Sequence, residues 1–124
     1  MNRISNFDDS HVPISHFKEE IRKFVKNRNW EIHHTPKNLI QAISIEVSEL
    51  SQCLLFKDDK IENILKDNFV LSNLSDEIAD VFIYLLSLIN ILNIDLTSSF
   101  INKMEKNRVK YPIKEFNDGK YYKK

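Results

Sequence analysis

The sequence predicts an all-α fold, and three observations carry that reading. The 124 residues include one glycine and three prolines, too few for a protein built from many tight turns. Apolar residues recur at helical spacing in four long stretches. Two of those stretches each contain a pair of acids three residues apart, Glu46-x-x-Glu49 and Glu77-x-x-Asp80. The architecture expected is a four-helix-bundle-like domain over residues 14–113. A lead-in (residues 1–13) without periodicity precedes it, and a polar tail (residues 114–124) follows.

Each helix has its own warrant. The first is expected from Ile14 to Asn27, where Ile14, Phe17, Ile21, Phe24 and Val25 share a face. The segment from Asn29 to His34 interrupts the pattern. Thr35 and Pro36 restart it, with Thr35 as N-cap and Pro36 at the first helical position, where a missing N–H costs nothing. The second helix is expected to run to about Phe56, with Leu39, Ile43, Val47, Leu50 and Leu54 as its core stripe. Turning about 100° per residue from Ile43 sets Glu46 and Glu49 about 60° and 120° to one side, at the border of that stripe. Residues 57–73 read as a polar connection with a short helix around Ile61–Leu65. The third long helix is expected from Leu74 to Leu92. From Ile78 onward, 12 of its 15 residues are apolar and occur all round the helix, so it should be buried on most sides. Asp95 is placed to cap a fourth, from Leu96 to Tyr111, stopped by Pro112. Leu96, Phe100, Ile101, Met104 and Tyr111 should line its inner side.

Composition excludes several function classes. The 18 basic and 18 acidic residues cancel, leaving no global field to attract nucleic acid. Gly119 cannot build a glycine-rich phosphate loop by itself. The longest apolar run carries Asp80, Ser87 and Asn90 and is too short for a membrane span. The first residues lack the apolar core of a signal peptide, and the lone Cys53 cannot staple a fold; both suit a cytoplasmic setting. Cys53 sits among Leu50, Leu54 and Leu55, where a small core residue is the simpler reading than a nucleophile.

The acidic pairs carry the chemistry. A spacing of three puts both carboxylates of a pair on one helix face. Such a pair alone is most often solvated surface. Here both pairs interrupt the most apolar helices, and consecutive helices with a modest connection pack antiparallel, which would gather Glu46, Glu49, Glu77 and Asp80. Four clustered carboxylates repel and require protons or cations. An all-oxygen set without cysteine selects a hard cation, Mg2+ or Mn2+, and such an ion recruits substrate phosphates. The chemistry implied is metal-assisted attack of water on a polyphosphate. A di-iron site would call for Glu-x-x-His pairs, which neither helix has.

Other residues admit two readings each. Trp30 is a hydrophobic anchor or a base-stacking wall. His33 and His34 pack in a loop or contact substrate. Tyr84 is core or closes the pocket beside the acids. Lys103, Asn107 and Lys110 share a face that is either solvated or turned toward a phosphate and a sugar or base edge.

Taken together, Arg28-Asn-Trp-Glu, His34-Thr-Pro-Lys-Asn-Leu39, Glu46-Val-Ser-Glu-Leu50, Asp76-Glu-Ile-Ala-Asp-Val-Phe-Ile-Tyr84, Lys103-Met-Glu-Lys-Asn-Arg108 and Tyr111-Pro112 resemble the MazG-like all-α nucleoside triphosphate pyrophosphohydrolases. The likeness spans residues 14–113 and is strongest to the dCTP pyrophosphatase branch. The resemblance implies Mg2+-dependent hydrolysis of a deoxynucleoside triphosphate, dCTP or a modified pyrimidine nucleotide, to monophosphate and pyrophosphate. It implies Glu46, Glu49, Glu77 and Asp80 as metal ligands and catalytic groups. Trp30, His34, Phe56, Tyr84, Lys103 and Asn107 become substrate contacts. It also implies a core completed by oligomerisation, as a dimer or a dimer-of-dimers homotetramer.

Two departures bear on base selectivity. Ile21 stands where dCTP-preferring members carry a histidine, and Phe56 stands where they carry a second tryptophan. Phosphoribosyl-ATP pyrophosphatase-like activity shares the acidic helices and is one alternative. A non-catalytic nucleotide-binding helical oligomer or adaptor is the other.

Overall fold

A computed structural model describes residues 6–121. Helices α1 (Ile14–Asn27), α2 (Pro36–Gln52), α3 (Ile61–Lys66), α4 (Asn68–Ile91) and α5 (Leu96–Lys110) follow in order. One 3-10 turn (Glu31–His33) joins α1 to α2, and no strand occurs among the described residues. The fold class expected from the sequence is therefore the one observed.

The helix boundaries have local causes. α1 ends in a Schellman motif: the Asn29 N–H donates to the Lys26 carbonyl and the Trp30 N–H to the Val25 carbonyl, each at 3.1 Å. Asn29 supplies the left-handed residue this motif needs, at φ 55°. Thr35 caps α2 by accepting from the Asn38 N–H at 3.2 Å, with Pro36 in the first turn. Asp95 caps α5 by accepting from the backbone N–H and the hydroxyl of Ser98.

Two boundaries differ from expectation. α2 stops at Gln52, four residues before Phe56, because i to i−3 bonds from Cys53, Leu54 and Leu55 tighten the chain. Phe56 then turns it away at φ 59°. α4 begins at Asn68, six residues before Leu74, because Asp67 caps it by accepting from the Val70 N–H at 3.1 Å. That cap lies in a stretch whose polarity reads as connection.

The chain divides into two compact units, the first ending at Asn93 and the second starting at Ile94. In the first unit α4 is the hub, against which α1, α2 and α3 all pack. Leu39 of α2 and Leu86 of α4 are fully buried, joined by Val25, Val70 and Ile89. Two ties fix α1 on α4. Phe17 and Phe82 meet edge to face with centroids 5.8 Å apart. Asn90 donates to the Lys18 carbonyl at 3.0 Å and accepts from the Arg22 guanidinium at 3.1 Å. The second unit comprises α5 and the turns after it, where Tyr111 and Phe116 meet edge to face at 5.2 Å.

Several expected core residues lie exposed. Val47 falls outside the α2 stripe, whose other members Leu39, Ile43, Leu50 and Leu54 are buried or half-buried. On α5, Phe100, Ile101 and Tyr111 are exposed, while Leu96 and Met104 are half-buried. α4 carries the apolar sequence of a helix covered on most sides, yet Ile78 is 55% exposed, and Ile83 and Leu85 are exposed as well. α2 presents Ile40 and Ile45 in the same way. Exposed apolar side chains in this number are the kind of surface that an interaction covers.

Candidate metal centre

Because α2 packs along α4, the two acidic pairs converge. Carboxylate oxygens of Glu46, Glu77 and Asp80 lie within 4.8 Å of one another. Glu49, exposed one turn along α2, is not among those three but stands near enough to act on Glu46 and Glu77. Burial, a hydrogen bond with Glu49 and the charges of Glu49, Asp80 and Glu77 together push the Glu46 carboxyl up to about 7. Glu77 is raised as well, first by loss of solvent, then by the charge of Glu49, a hydrogen bond with it, and the charge of Asp80. These are the effects of like charges crowded at one point.

A second observation points the same way. Glu46 Oε2 and Glu77 Oε2 are both buried without a hydrogen-bond partner. A buried carboxylate oxygen without a partner is unfavourable. A divalent cation held among Glu46, Glu77 and Asp80 would satisfy both atoms and relieve the repulsion. The donor set is oxygen only, as hard cations require. The residues present therefore fit such an ion.

The acids open onto a cleft of about 660 Å3. Glu46 and Asp80 contribute its acidic wall, with Tyr84 one turn further along α4. Trp30, Phe24 and Arg28 contribute a second wall, from α1 and the turn that ends it. Trp30 packs edge to face on Phe24 with centroids 5.8 Å apart, an arrangement set by the chain reversal at Asn29. His34 lines the cleft too. Loss of solvent and then the neighbouring His33 lower its proton affinity, which favours the neutral imidazole, a ring that donates one hydrogen bond and accepts another.

Trp30, His34, Tyr84, Glu46 and Asp80 thus share one cavity. Phe56 does not join them: it stands fully exposed after α2. Lys103 and Asn107 lie on α5 in the second unit, Lys103 exposed and Asn107 half-buried. Cys53 is half-buried, and its thiol points to the Glu49 carbonyl at 3.5 Å. Phe24 and Arg28 are cleft residues that periodicity and motif left without a role. Phe24 scored only as a member of the α1 core face. Their spacing of four, an aromatic followed one turn later by a cation, was the available signal.

With this geometry in place, the comparisons decide the family. Residues 41–124, including both acidic pairs, match the MazG-like family. The chain belongs to the MazG-like family. It is similar to dCTP pyrophosphatase 1 of Mus musculus, 35% identical over 103 residues, which cover 77% of this chain and 59% of that protein. The Homo sapiens protein of the same name is 34% identical over 99 residues, covering 76% and 58%. The chain therefore spans somewhat under two thirds of the length of these relatives. Among solved structures it resembles a pyrophosphatase from Archaeoglobus fulgidus, with a TM-score of 0.74 and 36% identity. That match covers 86% of this chain and 99% of the other. Among the described residues no single helix is long and apolar enough to cross a membrane.

Proposed function

We propose that this chain is a nucleoside triphosphate pyrophosphohydrolase that cleaves between the α and β phosphates, releasing monophosphate and pyrophosphate. The observation that carries this reading is the pair of orphaned carboxylate oxygens, Glu46 Oε2 and Glu77 Oε2, in an acidic cluster that opens onto an aromatic-walled cleft. The names of the similar proteins, dCTP pyrophosphatase 1 and a pyrophosphatase, support the same reaction class. The substrate we propose is a deoxynucleoside triphosphate of the dCTP type, or a modified pyrimidine counterpart.

Glu46, Glu49, Glu77 and Asp80 are assigned as the holders of a hard dication, Mg2+ in this reading. Such an ion, when bound, neutralises polyphosphate charge and makes a coordinated water more acidic. A carboxylate not committed to the metal orients the attacking water and takes its proton. Trp30 stacks the base. The neutral His34 hydrogen-bonds the nucleotide, and Tyr84 closes the cleft beside the acids. For Phe56, Lys103 and Asn107 a substrate-contact role rests on the family resemblance alone, since none of them lines this cleft.

The same reading includes self-association. Ile45 on α2 and Ile78 on α4 are more than half exposed, and an apolar surface of that extent is covered in a homo-oligomer, a dimer or a dimer of dimers. A cytoplasmic setting accords with the lone Cys53.

The direct test is release of pyrophosphate from a panel of common and modified deoxynucleoside triphosphates, with and without Mg2+. Metal-dependent release from one or more members is the expected result. Binding without cleavage across the whole panel would reduce the chain to a nucleotide-binding module.

A further inference from the structure

We propose that Arg28 reads the edge of the bound base, and that it favours bases presenting two adjacent hydrogen-bond acceptors. The inference rests on the nucleotide cleft of the proposed function and adds the feature of the base that the cleft selects.

The Arg28 guanidinium lies over the Phe24 ring, with its central carbon 3.6 Å from the centroid. One Nη1–H donates to the Phe24 carbonyl at 3.0 Å. The stack and the hydrogen bond together fix both the position and the direction of the group. The Trp30 ring lies beside it, 6.0 Å from the guanidinium carbon to the indole centroid. All three side chains line the cleft that also holds Glu46 and Asp80.

This arrangement divides the labour of holding a base. Arg28 sits closely on Phe24 but stands 6.0 Å from the Trp30 centroid, so the 45% exposed Trp30 keeps stacking surface for a base. A nucleotide whose phosphates lie at the acidic wall and whose base lies on Trp30 brings the edge of that base to the guanidinium. Arginine carries five N–H donors and no acceptor. With one spent on the Phe24 carbonyl, the others remain as a planar fork held in place before any ligand arrives.

A fork of donors pairs bidentately with two neighbouring acceptors, as arginine does with O6 and N7 of guanine. Cytosine offers the equivalent pair at O2 and N3. Uracil does not, because its N3–H stands between the two carbonyls. Adenine sets an amino donor next to N1 and again next to N7. The fork therefore favours cytosine or guanine and disfavours uracil, thymine and adenine. Ile21, also on the cleft wall, offers no hydrogen bond that could override this choice.

The test compares dCTP with dUTP, which are equal in size and differ only at that edge. Wild type, Arg28→Gln and Arg28→Lys are assayed for kcat/KM on both, with melting temperatures as a check on folding. Lysine keeps a cation over Phe24 but loses the fork, so a role limited to bracing the aromatic pair or neutralising phosphate would survive in it. The expected result is a wild-type preference for dCTP, lost by about tenfold or more in both variants through dCTP alone, with dUTP essentially unchanged. Equal losses on both nucleotides, no loss in either variant, or no wild-type preference would each overturn the proposal.

A second readout separates this inference from the catalytic one. Trp30 is the only tryptophan, so its fluorescence reports a base stacked in this cleft. Titration with the α,β-imido analogues of dCTP and dUTP in Mg2+ keeps the acidic wall charge-balanced and leaves both nucleotides intact. Selective quenching by the dCTP analogue that vanishes in Arg28→Lys upholds the base-reading role even if no triphosphate is hydrolysed. Indifferent quenching in the wild type overturns it even if hydrolysis is brisk.

Discussion

Glu46 on α2 and Asp80 on α4 bring carboxylate oxygens within 4.8 Å of each other, and Glu46 Oε2 is buried there without a hydrogen-bond partner. Two helices that bury Leu39 and Leu86 in their shared core also hold like charges in opposition at its border. Coulomb repulsion at that range is unfavourable at any dielectric a protein offers. A cation turns the same geometry into attraction.

Removing one carboxylate should therefore separate function from stability. Glu46→Gln and Asp80→Asn are expected to lower pyrophosphate release by about 100-fold or more, the kinetic counterpart of several kcal/mol of lost charge stabilisation. Without metal, both variants should melt at or above the wild-type temperature, since each removes a repulsion. Wild-type turnover by either variant would dissolve the site assignment.

Glu46 also sets a pH dependence. Its carboxyl rises from an ordinary 4.5 to about 7 in the folded chain. The native state then binds this proton more tightly than the unfolded state does. The stabilisation is complete below pH 4.5, falls as pH rises toward 7 and is gone above it. In chelator, the melting temperature should decline across that window, and Glu46→Gln should flatten the decline. Mg2+ competes with the proton, so it should restore stability most strongly above pH 7. A site filled at 100 times its dissociation constant adds about 2.7 kcal/mol. Melting curves that ignore both pH and Mg2+ would count against a preformed acidic centre.

Trp30→Ala tests the stacking wall. Trp30 is 45% exposed and packs mainly on Phe24, so the fold should survive. Loss of base stacking corresponds to about 1–3 kcal/mol, hence an expected rise in KM of about 5-fold to 150-fold with kcat less affected. A collapse of kcat at unchanged KM would assign Trp30 to the reacting end of the nucleotide instead.

Ile78→Lys probes the uncovered apolar face. The side chain is more than half exposed on its own chain, so a lone protomer should tolerate the charge. In an oligomer the same charge is buried against a neighbour at a cost of several kcal/mol. Light scattering should show the wild type as a dimer or larger and the variant shifted to monomer. A monomeric wild type would leave the exposed isoleucines without the explanation offered here.

What could be read without coordinates was set by short-range chemistry. Thr35-Pro36 and Asp95 announced helix starts because a capping side chain satisfies backbone donors only two or three residues away. Spacing put Glu46 with Glu49 and Glu77 with Asp80, since one helical turn needs no knowledge of the rest of the fold. The combined motifs named the family that residues 41–124 match. Asp67 was legible in principle, but its cap is embedded in a polar stretch that hides a helix start.

Tertiary structure decided which faces meet. Periodicity could not tell that Val47 points to solvent while Leu39 is sealed, because burial depends on where α4 lies and not on the α2 sequence alone. Nor could it show that Glu46 Oε2 and Glu77 Oε2 lose every partner, or that Arg28 settles on Phe24 beside Trp30. Local sequence determines helices and their caps because those bonds close within a few residues. The acidic centre comes from side chains far apart in the chain, and only the packing of α2 on α4 sets their distances; the packing of α1 on α4 brings the local Phe24, Arg28 and Trp30 group into the same cleft.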